Sequence, residues 1–267
     1  MKFYKSYFKL RFISNLQYRM AALAGISTQL FFGSIFIMVY LAFYESNSGV
    51  GPMKINELVS YLWLNQTFFS LIYMFYKDGE IFDMIKNGNV SYELIRPKNL
   101  YFMWYFKIIA QRLSNVTLRG IPIILITIFL PKPYNLSMPL SITHFILFAL
   151  ALFIGTLLMT SIITMYHIIT LRTLDEKGIT NIIAAIGDLL SGGVVPLPFF
   201  PLFLRKIANV LPFRYISDLA FRLYSGNIGI NEGLYGILIQ TIWFIIITIM
   251  GIFLMNKCVK KMTVQGG

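Results

Sequence analysis

Charge is scarce in this sequence. Only 13% of its 267 residues are Asp, Glu, Lys or Arg, and 11 of those are acidic. A soluble domain carries about 25%, so a large solvated surface is excluded. Cys258 is the single cysteine, which excludes an intrachain disulfide. With two histidines beside it, one cysteine cannot supply the four ligands of a structural zinc site. The pattern G-x-x-x-x-G-K-[ST] is missing, so ATP cannot be held in the manner of that loop. H-E-x-x-H is missing too, and His144 and His167 would lie about 34 Å apart along one helix. No small-x-small cleavage site follows the first apolar run, so we expect an uncleaved first span. Internal repeats and low-complexity tracts are absent.

What is there is apolar. Hydrophobic residues make up 57% of the chain, and mean hydropathy is +0.69. Residues 20–44 contain no charge at all. A bilayer core about 30 Å thick needs about 20 such residues in a helix. We therefore expect an all-α membrane protein: one domain over 1–267 with six spans at about 20–44, 57–76, 100–130, 139–167, 179–195 and 233–255. The net charge of +12 follows the rule that Lys and Arg collect on the cytoplasmic side, and it does not call for a nucleic acid partner. With the N-terminus inside, the cytoplasmic segments hold fourteen basic residues and the external ones six. Both ends are thus expected in the cytoplasm.

Four segments depart from plain spans. Residues 1–19 put Lys2, Lys5 and Lys9 on one helical face and Phe3, Tyr4, Tyr7 and Phe8 on the other, an interfacial helix facing membrane lipid. The third span carries Lys107, Arg112 and Arg119. Each costs about 2.5–3.5 kcal/mol at a bilayer centre, so its first half is expected at or below the interface. In 179–195, Asp188 is either functional or simply wetted or paired near the outer end. Residues 196–231 hold Pro196, Pro198, Pro201 and Pro212, which forbid one helix. They leave two amphipathic pieces, 202–211 and 213–225, and in the second Arg214, Asp218 and Arg222 are spaced for an i,i+4 ladder. An external helical hairpin, or two interfacial caps, fits equally.

The run Gly192, Gly193, Pro196, Pro198, Phe199, Phe200, Pro201, then Leu211-Pro212-Phe213 and Leu223-Tyr224-Ser225-Gly226, resembles the permease subunits of type-2 ABC exporters. Residues 88–97, GNVSYELIRP, resemble that family's first cytoplasmic loop. The resemblance implies a permease of two six-span halves, identical or homologous, each engaging a separate ATPase subunit. ATP and Mg would then be bound by that partner, with no cofactor in this chain. It also implies that loop 77–99 carries an ATPase-docking coupling helix with the N-terminal helix beside it. There Ile81, Phe82 and Ile85 are expected to offer an apolar face to the ATPase cleft. Glu80, Asp83, Lys86, Tyr92 and Arg96 would supply contacts around it. The implied translocation pathway or external gate comprises Asp188, Pro196, Phe199, Phe200, Pro212 and Phe213. The expected cargo is amphipathic or hydrophobic: a peptide, drug or lipid-like molecule.

Other classes are weaker. Ser191-Gly192 suggests an intramembrane serine protease, but no base–nucleophile pair is evident. An ion-coupled secondary transporter or channel would place several ionisable groups at mid-depth, where this chain offers Asp188 and Arg119. A non-transporting scaffold is the third alternative.

Overall fold

The computed structural model describes residues 2–46, 50–75, 77–95, 98–175 and 177–260, and these are all-helical, with no strands. The helices in chain order are α1 (Lys2–Asn15), α2 (Arg19–Ser46), α3 (Ile55–Thr67), α4 (Phe69–Ile72), α5 (Gly79–Lys86) and α6 (Val90–Leu94). They continue with α7 (Leu100–Ile128), α8 (Ile142–Thr173), α9 (Gly178–Leu190), α10 (Leu202–Val210), α11 (Arg214–Ser225) and α12 (Ile230–Lys260). Among the described residues, α2, α8 and α12 are long and apolar enough to cross a membrane.

The apolar pattern is turned outward, as lipid as solvent requires. Along α2 only a stripe of Ala22, Gln29, Gly33, Ile37 and Tyr44 is buried, while Leu23, Phe31, Met38 and Val39 are exposed. At Gly33 a Cβ would sit 2.6 Å from the Trp63 ring, so the missing side chain sets how closely α2 meets α3. The central helix is α8, which touches α4, α5, α7, α9, α11 and α12, and Leu158 through Thr164 on it are all buried. Gln240 of α12 donates from Nε2 to the Ala151 carbonyl (2.8 Å) and the Tyr215 carbonyl (2.6 Å). This amide therefore ties α12 to both α8 and α11.

The stretch expected as a second span over 57–76 is not one helix. It stops at Thr67, bends at Phe68, resumes for four residues and becomes extended at Tyr73. The freed backbone is satisfied from two other helices. Arg112 donates to the carbonyls of Ser70 (3.1 Å), Leu71 (2.8 Å) and Tyr73 (3.1 Å). Asp188 accepts from the Met74 N–H at 2.8 Å. An unpaired peptide group in hydrocarbon costs several kcal/mol, and both charges are buried at this break. Arg112 is accommodated by burial against carbonyls. Asp188 caps the Met74 N–H at this break, and among the described residues it is not paired with a hairpin arginine.

The fifth stretch is shorter than 179–195. Its helix ends at Leu190, and Gly192 turns with φ +79°. The turn's carbonyls accept from Asn65 and Tyr61 of α3. The two amphipathic pieces form α10 and α11, with Pro201 and Phe213 just before them. Asp218 lies fully buried between Arg214 (3.5 Å) and Arg222 (3.7 Å), and Tyr61 donates to it at 3.1 Å. On α10 Ala208 is buried, and the half-buried Arg205 donates to the Pro198 and Phe200 carbonyls. Leu202, Phe203, Ile207 and Val210 face out.

These elements sit at two ends of α8. Tyr224 of α11 packs on Phe148 (5.1 Å), and Phe82 of α5 stacks on His167 (4.6 Å). The 19 residue steps from Phe148 to His167 span about 28 Å of helix, close to the thickness of a bilayer core.

Candidate functional site

The segment between α4 and α7 begins with a helix start legible in sequence. Asp78 is the N-cap of α5 and its Oδ1 accepts from the Ile81 N–H at 3.1 Å, satisfying one of the four free donors of a helix start. The eight residues of α5 are strongly two-faced. Gly88, at φ +71°, makes the turn after it, and α6 follows as a single short helix.

The apolar face of α5 turns into the protein. Ile81, Phe82 and Ile85 are buried, Phe82 stacked against His167. This corrects the expectation that these three side chains meet a partner: burying them against α8 removes them from water, and the membrane bundle itself fills the role of the cleft. The outward surface is Asp83, Lys86, the 87–89 turn, Tyr92 and Ile95. Tyr92 and Ile95 are 70% and 78% exposed, unusual for large apolar residues on a polar loop. Ile95 was missed, although its position three residues after Tyr92, on the same helical face, was available as a signal. Arg96 lies outside the described residues.

Four charged side chains lock this segment to its neighbours. Arg11 of α1 grips Glu80 with two nitrogens, at 2.9 and 3.0 Å. Lys107 of α7 reaches Glu80 at 2.9 Å and Asp78 at 3.1 Å. Lys107 is thereby paid for by two carboxylates. Partial burial pushes the Glu80 carboxyl up, but its hydrogen bonds from Arg11 and Lys107 outweigh that and hold it below its ordinary 4.5. Burial lowers the Arg11 guanidinium, and Glu80 together with Tyr7 more than reverses this. Burial raises the neighbouring Tyr7 phenol, over whose ring Arg11 lies at 5.4 Å. Farther along, Trp104 donates to Glu93 of α6 at 2.7 Å. Lys77, just before α5, donates to Thr180 and Asn181 of α9, both at 2.7 Å. The segment is therefore fixed to α1, α7, α8 and α9 together.

A model of the ABC-2 family transporter protein matches residues 27–266. The chain belongs to the ABC-2 transporter family. It is a membrane-embedded permease of that family, a transport component that generally lacks its own ATPase, and membership implies association with ABC ATPase subunits. No curated protein and no solved structure matches it.

In this permease the residues expected at the pathway converge only in part: Phe213 packs on the cluster that holds Phe200. Asp188 holds the break after α4 and borders a small cavity of about 70 Å³ with Asn65, Phe69 and Tyr73. Phe199 joins an aromatic group with Tyr40, Phe43 and Tyr44 of α2. Pro196 and Pro212 are buried, as is Phe200, which packs with Leu190, Leu197 and Ala208. Phe213 lies against Gly187, where a Cβ would come within 3.1 Å of its ring. Among the described residues no group of three or more His, Cys, Asp or Glu could hold a metal ion.

Proposed function

We propose that this permease is the transmembrane subunit of an ATP-driven exporter for an amphipathic or hydrophobic cargo, a peptide, drug or lipid-like molecule. It is driven by a separate ATPase that docks on the α5–α6 surface and carries the ATP and Mg. A second permease half, identical or homologous, completes the pathway. The crossings are α2, α3 with α4, α7, α8, α9 with the turn after it, and α12. Both ends and the α5–α6 segment lie in the cytoplasm, and α1 lies on the inner leaflet. The excess of basic residues on that side supports this orientation. So does the separation of α5 from α11 along α8, by about the thickness of a bilayer core.

The observation that carries the reading is the anchoring of one exposed loop. Asp83, Lys86, Tyr92 and Ile95 face outward from a segment whose reverse side is tied to four helices by ion pairs, hydrogen bonds and a ring contact. A push on that surface moves α1, α7, α8 and α9 as one, which an ordinary solvated loop would not do. The ion-coupled alternative loses support because Asp188 is engaged at a backbone break. Purification of the tagged chain from its native membrane, followed by subunit counting, tests the proposal. We expect two permease halves with two ATPase subunits. A purified chain that transports cargo down an ion gradient with no ATPase present contradicts it.

A further inference from the structure

Beside the ion network lies a polar cavity of about 360 Å³ between α1, α2, α5 and α7. Three cations border it, Arg11, Lys107 and Arg119, with two carboxylates, Asp78 and Glu80. The carboxylates are already engaged: Glu80 by Arg11 and Lys107, Asp78 by Lys107. Arg119 is left over. Its Nε is buried with no hydrogen-bond partner among the described residues. It projects from α7 just before the run Gly120–Ile128, which holds no charge. Its guanidinium packs so closely on α2 that a Cβ at Gly25 would lie 2.7 Å away. A guanidinium is always charged, and at such a depth it requires an anion or several acceptors.

We infer that this cavity binds a phosphate group, with Arg119 as its principal contact. The planar fork of arginine matches phosphate oxygens, and the rest of the lining, including Ser14, Asn15 and Tyr18, supplies hydroxyl and amide groups around it. The source that fits the position is the headgroup of an anionic lipid. The cavity opens between a basic, aromatic helix and the first apolar span, with Tyr18, Met20 and Leu23 exposed beside it. This assignment rests on α1 lying at the membrane surface and does not depend on ATPase docking, so the two readings fail separately.

The test uses the full chain purified in neutral detergent. Native mass spectrometry counts retained phosphatidylglycerol against phosphatidylcholine, and thermal melting is followed with and without millimolar inorganic phosphate. We expect wild type to retain phosphatidylglycerol preferentially and Arg119→Gln to bind it about tenfold more weakly, the loss of one charge-assisted contact. Ala21→Phe, which narrows the opening and keeps the charge, should weaken it similarly, and it carries the test if Arg119→Gln does not fold. Stabilisation by inorganic phosphate that depends on Arg119, without preference among lipids, assigns the site to a free phosphate instead. Binding of both probes that is indifferent to Arg119→Gln and Ala21→Phe overturns the inference.

Discussion

Arg112 is almost fully buried, with its guanidinium set among backbone carbonyls. It donates to three carbonyls at the broken end of α4, so one side chain replaces the peptide donors that a continued helix would have provided. Arg112→Gln keeps a polar group but loses the fork. We expect it to destabilise the protein by about 3 kcal/mol, seen as a lower melting temperature in detergent. Arg112→Lys should recover only part of this, since a point charge cannot span three acceptors. Glu80 gives a pH dependence. Its folded pKa is held below the ordinary 4.5, so the clasp between α1 and α5 is fully present above that value and is lost as pH falls through the lowered one. Spin labels on α1 and α5 should report fixed spacing at neutral pH and separation in acid. In Glu80→Gln the separation should be present at neutral pH. Arg112 was visible in sequence as an anomaly and Glu80 was read as a contact for the ATPase, but the partners of neither were legible. Arg112 and the carbonyls it holds come from segments some forty residues apart, and backbone carbonyls leave no mark in an amino-acid sequence.

Helix α5 shows how far periodicity carries and where it stops. Spacing of Ile81, Phe82 and Ile85 correctly groups them on one face. Which way that face turns is decided by His167 and the rest of α8, far away in sequence. The long helices α2, α8 and α12 were legible because uninterrupted apolar runs of that length have no soluble alternative. The break at Phe68 was not, since 68–73 contains neither glycine nor proline and is apolar apart from Ser70. It is imposed by tertiary partners. Because Phe82 links α5 to α8, Phe82→Ala should cost about 3 kcal/mol in stability. In the complex it should also reduce cargo-stimulated ATP hydrolysis more than basal hydrolysis. Equal reduction of both rates would assign Phe82 a packing role alone.

At the scale of the whole molecule, α8 works as a strut with a different assembly at each end. One end carries the anchored α5–α6 surface, and the other carries α10 and α11, held by Asp218, Gln240 and the Asn227–Glu57 contact. In the proposed mechanism, energy delivered to the first end reaches the second along packed helices. The most direct test of that account is a crosslinking map. Single cysteines are placed at Asp83, Tyr92 and Ile95, with a control at Phe203 on α10 and Cys258 replaced by Ser, in native membranes containing the ATPase. The account predicts crosslinks to the ATPase from the first three positions, changing in yield when ATP is trapped, and none from Phe203. Crosslinks absent across 83–95, or formed equally from Phe203, would contradict it.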